Sequence, residues 1–172
     1  LAQALHDEIK AVTDQPVRLV INENGQGHSM LGNGYWREQG VRIVAHEDAA
    51  AEFADSAPQA LESLKGYARE GAEGTSIVAP DETFTDRYDA SMGGVTIEVL
   101  YLGPAHSPGD TQVWLPDDRT LIAGDIAFHE RMLPLFNDTF NVSLSSWLRP
   151  YTAASVMMNF GSGSSAVQVS NS

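Results

Sequence analysis

The sequence predicts a single α/β domain over residues 1–172, in which a half built of helices and strands is followed by a mainly β half. Apolar residues recur at helical spacing over residues 1–12, and the apolar run at 17–21 then predicts a buried strand. Beyond Gly71, short apolar runs alternate with Gly, Pro and Asp turns, a pattern typical of short strands. A chain of 172 residues with 42% hydrophobic content can bury a core of its own.

Helices and strands are predicted to alternate in the first half of the chain. Pro16 stops the first helix because proline cannot continue one, and Gly40 ends the helix before the second strand. A new helical piece is expected to begin at Pro58. The predicted elements are helix 1–12, strand 17–21, helix 31–39, strand 41–45, helix 47–54 and helix 58–70.

The second half is predicted to consist of strands at residues 75–78, 95–102, 111–115 and 121–123. A tight polar turn at 116–119 joins the last two strands, so we expect an antiparallel hairpin there. Residues 143–148 begin a helix that Pro150 cuts short. The tail, residues 161–172, is a Gly/Ser link followed by a weakly alternating strand.

The charge balance excludes several classes of partner. Ten Lys and Arg residues against 23 Asp and Glu residues give a formal net charge of −13, which repels phosphate backbones and anionic membrane surfaces. No apolar run approaches the roughly 20 residues of a spanning helix, and the amphipathic N-terminus is unlike a secretory leader. We therefore expect a soluble protein, cytoplasmic or periplasmic, that binds neither nucleic acid nor membrane. Because the chain has no cysteine, any metal must be held by His, Asp or Glu.

The loop after the first predicted strand, NENGQGHSMLGNGYW at residues 22–36, is a candidate site. In α/β proteins, chemistry is commonly placed where a strand gives way to a helix. The loop contains glycines, neutral amides, a hydroxyl and His28, but Glu23 is its one acid. Its glycines are not followed by the Lys-Ser/Thr of a phosphate loop, so a nucleotide site is disfavoured.

Three segments together resemble the metallo-β-lactamase superfamily: VRLVIN…GNGYWREQGVRIVAHE, GPAHSPGDTQVWLPDDRTLIAGD and FNDT…SSWL. The resemblance covers most of residues 1 to about 150, and the middle segment is the most specific because His, then Gly-Asp, then a hairpin ending in Gly-Asp is an unusual order. It implies an αββα sandwich of two mixed sheets with the metal-binding loops along one sheet edge.

The resemblance also implies an N-terminally incomplete fold, because family domains open with several strands before the helix that begins here at Leu1. A sheet edge exposed in this way has to be covered. We expect a second copy of the chain, a partner segment or the chain's own tail to cover it.

Family members hold one or two zinc ions, which lower the pKa of a bound water so that hydroxide can attack a carbonyl or phosphoryl centre. Their ligands are His-x-His-x-Asp-His in the first loop, a further His in the second loop, an Asp after the hairpin and a last His. The matching positions here are, in order, Asn24, Gln26, His28, Ser29, His106, Asp125 and Ser162. His106 and Asp125 keep the family's residue type, whereas the other positions have changed.

Two functions of different class stay open. In the first, His28, His106 and Asp125 hold one zinc ion with an open position, and Asp125 and His28 take part in catalysis. The chain would then be a hydrolase acting on an ester, lactone, β-lactam or phosphoester. In the second, zinc is absent and the chain is a pseudoenzyme or an engineered domain that binds a small molecule. Changes confined to the ligand positions favour design or a misreading of these residues over drift.

The remaining histidines receive lesser assignments. His129 is either a surface-loop histidine or a residue at the rim of the substrate pocket. His6 and His46 are interpreted as structural or solvated. A Ser29–His28–Asp125 triad is disfavoured because adjacent residues of one loop seldom orient toward each other.

Overall fold

A computed structural model describes residues 1–127, and it divides the chain into two compact units, Leu1–Phe84 and a second unit beginning at Thr85. The helix predicted at 143–148, the tail strand, His129 and Ser162 lie outside the described residues. The expectation of one domain over the whole chain stays a prediction.

The first unit alternates helices with the strands of a parallel sheet. Its sheet has the order β1-β2-β3, with Val20 beside Ile43 and Ala45 beside Thr83. Parallel neighbours need a crossover connection, which the helices between these strands provide. The elements are α1 (Ala2–Val12), β1 (Leu19–Ile21), α2 (Gly27–Met30), α3 (Asn33–Glu38), β2 (Arg42–His46), α4 (Glu47–Ala68), a 3-10 turn (Arg69–Ala72) and β3 (Glu82–Phe84). The predicted α/β alternation is confirmed.

The core of this unit anchors the loop that follows β1. One buried cluster joins α4 to α2 and β2, and its members are Met30, Ala45, Ala49, Phe53 and Ala57. A second joins α3 to β2 and consists of Trp36, Val41 and Ile43. The two short helices of the loop region are therefore held to the sheet by one large side chain each, Met30 and Trp36.

The helix break expected at Pro58 is wrong, because α4 runs through this proline without interruption. Proline cannot donate to the carbonyl of residue 54, but Ala54 and Pro58 both lie on the exposed side of the helix, where water can bond that carbonyl. The opposite side carries a buried stripe on both sides of the proline: Ala49, Phe53, Ala57 and Leu64. Burial of this stripe outweighs the local cost of proline.

The strand predicted at 75–78 is also wrong, because this segment pairs with no strand among the described residues. Instead, side chains of α3 donate hydrogen bonds to backbone carbonyls at the end of the 75–78 segment. Asn33 Nδ2 donates to the Val78 carbonyl at 3.2 Å, and Arg37 Nη2 donates to the Ala79 carbonyl at 2.7 Å. Pairing with β2 is made by the shorter strand β3, which the sequence pattern did not indicate.

His6 and His46 are structural. His6 is buried, its Nδ1 lies 2.8 Å from the Tyr35 hydroxyl, and its ring centroid lies 5.1 Å from that of Trp36. Of the two predicted roles, structural or solvated, the structural role is observed, because the ring ties α1 to α3. His46 is buried at the start of α4, where its Nδ1 accepts a hydrogen bond from the backbone N–H of Asp48 at 3.1 Å.

The described part of the second unit is an antiparallel sheet with the order β4-β5-β6-β7. Its strands are β4 (Arg87–Met92), β5 (Val95–Tyr101), β6 (Thr111–Leu115) and β7 (Thr120–Ile122), and a 3-10 turn (Gly124–Ile126) follows. The predicted hairpin between β6 and β7 is confirmed, with Leu115 opposite Thr120. The structure adds β4, which the sequence analysis missed. Among residues 1–127, no helix has the length and apolar character required to cross a bilayer.

An arginine relieves a charge conflict between β4 and β5. Asp89 stands directly opposite Glu98, and like charges in that relation destabilise a sheet. Arg87 bridges the two carboxylates, at 2.7 Å from Asp89 and 3.1 Å from Glu98. The hydrogen bond with Asp89 is the main reason that the pKa of Arg87 is raised. Arginine is protonated at working pH in any case, so the bridge is cationic.

Pro58→Ala is expected to raise the free energy of unfolding by about 2 kcal/mol. Proline costs about 3 kcal/mol in a helix interior, and removing it abolishes that cost. Alanine makes the unfolded chain more flexible, which offsets about 0.4–1 kcal/mol of the gain. Urea denaturation of the full chain measures this change. The neighbouring exposed Gln59→Ala is the control and should alter stability by less than about 0.5 kcal/mol. An unchanged or lower stability of Pro58→Ala would show that the helix gains nothing from the restored hydrogen bond.

Candidate functional site

A reciprocal pair of amides closes the first loop. Asn22 Nδ2 donates to Asn33 Oδ1 and Asn33 Nδ2 donates to Asn22 Oδ1, both at 3.0 Å, and both side chains are buried. Asn22 Nδ2 also donates to the Ser29 carbonyl at 3.0 Å. This pair of side chains thus joins three segments: the end of β1, the turn of α2 and the start of α3.

Asn24, at the first matched histidine position, supports its own loop. Its side chain is fully buried, and its Oδ1 accepts a hydrogen bond from the backbone N–H of Gln26 at 3.0 Å. This arrangement is an Asx turn, in which the side chain stands in for a backbone turn. At the adjacent Gly25, a Cβ would collide with the Ala49 carbonyl and the Glu52 side chain, so glycine permits this loop to lie against α4.

His28 and Glu23 form the first acid–imidazole pair. His28 Nε2 lies 3.6 Å from Glu23 Oε1, and the two side chains are 52% and 32% exposed. Glu23 was not among the predicted ligands, although it is the loop's one acid. Of the other loop positions, Gln26 precedes α2 and Ser29 lies within it, both partly exposed.

The second loop, between β5 and β6, carries His106 in a buried position. The carboxylate of Asp110 accepts hydrogen bonds from the backbone N–H groups of Ala105 at 3.2 Å and Ser107 at 2.6 Å, and from the Ser107 hydroxyl at 2.8 Å. The Tyr101 hydroxyl, at the end of β5, donates to the Pro108 carbonyl at 3.0 Å. These bonds give the loop a defined conformation around His106.

His106 and Asp125 form the second acid–imidazole pair. Asp125 lies in the 3-10 turn after β7, and its Oδ2 is 3.6 Å from His106 Nε2. The Asp125 side chain is 26% exposed, whereas that of His106 is 5% exposed. The structure thus brings together the two residues that keep the family's residue type. The two acid–imidazole pairs belong to different units, and their meeting in one cleft stays a prediction.

The donor chemistry of the His106–Asp125 pair fits a divalent metal ion. Imidazole nitrogen and carboxylate oxygen are both zinc ligands, and two such atoms at 2.0–2.2 Å from a tetrahedral ion lie roughly 3.3–3.6 Å apart. The observed separation of 3.6 Å falls at the upper end of this range. The neutral side chains of Asn24, Gln26 and Ser29 are poor zinc ligands by comparison.

The first unit also contains an open cavity of about 1100 Å³, partly lined by His28 and Ser29. Its other walls come from α1, α3 and α4, with Leu5, Trp36 and Tyr67 among the apolar lining residues. The cavity therefore combines apolar surface with polar groups of the first loop.

A family model described as the metallo-beta-lactamase superfamily matches residues 28–154, well over half of the chain. The chain belongs to the metallo-β-lactamase superfamily. Members of this superfamily usually bind metal ions.

Solved structures agree on the fold. A metallo-beta-lactamase from Pontibacter korlensis matches with a TM-score of 0.65 at 20% identity, over 90% of this chain and 62% of that chain. The metallo-beta-lactamase IND-7 matches with a TM-score of 0.62 at 18% identity, over the same two shares. At such identities the likeness shows the fold alone. The predicted metallo-β-lactamase fold is confirmed, and within residues 1–127 its two sheets are one parallel and one antiparallel.

A curated relative is similar over part of its length. The chain is 28% identical over 106 residues to the 2,4-dinitroanisole O-demethylase subunit alpha of Nocardioides sp. (strain JS1661). The match covers 60% of this chain and 31% of that protein. The chain therefore spans about a third of the length of this relative and under two thirds of the two solved structures named above.

Asn22→Ala and Asn33→Ala are each expected to lower the free energy of unfolding by about 1–3 kcal/mol, because each leaves a buried amide short of a partner. Combined, they should cost less than the sum, with a coupling energy of about 0.5–3 kcal/mol. Urea denaturation of both single variants and the double variant gives this cycle. Glu38→Ala, at an exposed position of α3, is the control. Strict additivity would show that the two amides act independently.

Proposed function

We propose that this chain is a hydrolase-type domain of its superfamily that binds one divalent metal ion, zinc by the chemistry of its donors, through His106 and Asp125. The observation that carries the proposal is the 3.6 Å separation of His106 Nε2 and Asp125 Oδ2. Membership of a superfamily that usually binds metal supports it. The substrate is a small molecule with an ester, lactone, β-lactam or phosphoester group.

The metal site is weaker than an intact family site. Catalytic zinc usually has three protein ligands, and its affinity falls when charged and imidazole donors are missing. His28 is proposed as the third ligand, with Glu23 as its neighbour in the same loop at 3.6 Å. Asn24 is not included as a ligand, because a neutral amide is a poor zinc donor and this side chain is buried in the turn of its loop.

The protein groups have distinct tasks in this proposal. When bound, a divalent ion supplies the lowered pKa of a coordinated water. His106 offers its Nε2 from a buried position, whereas the partly exposed Asp125 can both hold the ion and face a substrate. His28, half exposed, would take part in catalysis as the third ligand of that ion, and a bound imidazole is not available as a general base.

A second candidate function is binding of a small molecule without metal or turnover. The observation that favours it is the cavity of about 1100 Å³ in the first unit, lined by His28, Ser29 and Trp36. Ligand pockets usually have volumes of about 300–1000 Å³ and mix apolar walls with a few polar groups. The metal titration described next distinguishes the two functions.

After dialysis against a chelator, the full chain is expected to bind about one equivalent of zinc, with lower affinity than an intact family site. His106→Ala and Asp125→Ala should each weaken binding about tenfold or more, because each removes a ligand. His28→Ala tests the third ligand in the same way, and Asp117→Ala, an exposed acid on the β6–β7 turn, is the control. Calorimetric titration measures all five proteins. Two tightly held equivalents, or no binding by the unchanged chain, would contradict the proposal.

The unchanged chain is expected to show little zinc-dependent hydrolysis, because a site with fewer charged and imidazole donors holds its ion weakly, and metal-free general-base help falls short of ordinary enzymatic acceleration of about 10⁶-fold or more. The comparison variant carries five substitutions: Asn24→His, Gln26→His, His28→Asp, Ser29→His and Ser162→His. Assays use ester, lactone, β-lactam and phosphodiester substrates, and 2,4-dinitroanisole because a relative is named for it. Turnover only in the comparison variant supports the proposal. Zinc-dependent turnover by the unchanged chain at ordinary enzyme rates would refute the prediction that its metal site is impaired.

A further inference from the structure

The buried carboxylate of Asp110 accepts hydrogen bonds from the backbone on both sides of His106. Its Oδ2 accepts hydrogen bonds from the backbone N–H of Ala105 at 3.2 Å and of Ser107 at 2.6 Å. Its Oδ1 accepts a hydrogen bond from the Ser107 hydroxyl at 2.8 Å. The residues before and after His106 are therefore bound to one side chain, which is 2% exposed.

This arrangement constrains His106 through its backbone. The two N–H groups belong to the residues that flank His106, so fixing both restricts the direction in which the Cα–Cβ bond of His106 points. Hydrogen bonds to a carboxylate are stronger than those between neutral groups, and the low dielectric of a buried site strengthens them further. A buried carboxylate also requires such partners, because its desolvation is costly. The loop and the carboxylate stabilise each other.

We infer that Asp110 is a positioning residue for His106. It sets the orientation of the imidazole toward Asp125, while its own buried carboxylate is directed at the backbone and hydroxyl of the loop. The sequence His106-Ser-Pro-Gly-Asp110 makes this possible, because the Pro-Gly pair turns the chain back on the His106 peptide. The effect on metal affinity rests on the proposed function, whereas the effect on the loop does not.

Three variants of the full chain separate positioning from general stability. Asp110→Asn keeps the shape of the side chain but removes its negative charge, so the hydrogen bonds from the backbone N–H groups of Ala105 and Ser107 lose their charge assistance. Ser107→Ala removes only the hydroxyl bond to Asp110. Tyr101→Phe is the matched control, because it removes a hydrogen bond to the same loop at Pro108, away from the peptides that flank His106.

Two measurements are made on each variant. The first is NMR without metal, recording the hydrogen exchange of the Ala105 and Ser107 amides and the imidazole signals of His106. In Asp110→Asn, we expect exchange to become at least about tenfold faster and the imidazole signals to shift or broaden. The second is zinc titration, in which Asp110→Asn should weaken binding about 10- to 100-fold, as expected for a group that orients a ligand. Ser107→Ala should show a smaller effect in both, and Tyr101→Phe should stay within about twofold.

Each outcome decides one question. Unchanged amide exchange and imidazole signals in a folded Asp110→Asn overturn the inference, as does an equal loss of zinc affinity in Tyr101→Phe. If Asp110→Asn does not fold, unchanged His106 signals in Ser107→Ala overturn it. If the unchanged chain binds no zinc, the proposed function fails, while the NMR comparison still decides whether Asp110 positions His106.

Discussion

Buried polar groups must find hydrogen-bond partners inside the protein, and this constraint shapes both candidate loops. In the first loop the buried amides of Asn22 and Asn33 satisfy each other and, with them, carbonyls of Ser29 and Val78. In the second, the buried carboxylate of Asp110 is satisfied by the loop itself. In both loops, buried polar side chains determine the path of the backbone.

This arrangement separates the residues that build the loops from those that could bind metal. Asn22, Asn33 and Gly25 keep the first loop folded against α4 without reference to any ion. These contacts involve neither Gln26 nor Ser29 side chains, so a change of side chain at those two positions would leave them in place. Asn24 illustrates this separation: at a ligand position, it supports a turn.

Elements with long periodic patterns could be predicted from the sequence, whereas those that depend on tertiary contacts could not. The helix at α1 and the strands β5 and β6 follow directly from apolar spacing. The continuity of α4 through Pro58 depends on a buried stripe that only the fold supplies. Strand β4 has the sequence RYDASM, with no fully buried residue, so its strand character comes from pairing with β5.

The candidate site was predictable to a similar extent. The family's motif order identified His106 and Asp125, and the structure places them 3.6 Å apart. Glu23 was missed because the family has no ligand at that position, and its approach to His28 depends on the turn that begins α2. The role of Asp110 could likewise not be predicted from the sequence, because a Gly-Asp pair does not reveal which backbone N–H groups donate to the carboxylate.

The meander of the second unit has a consequence for the order in which the protein folds. His106 and Asp125 are separated by a short stretch of chain that contains little besides the β6–β7 hairpin. Hairpins form in about 1–10 μs, and contacts between near neighbours in sequence close with a small entropic cost. The parallel sheet of the first unit must instead wait for the crossover helix α4 to be placed between β2 and β3. When the full-length chain refolds from denaturant, we expect the second acid–imidazole pair to assemble among the earliest events, before the parallel sheet of the first unit is complete.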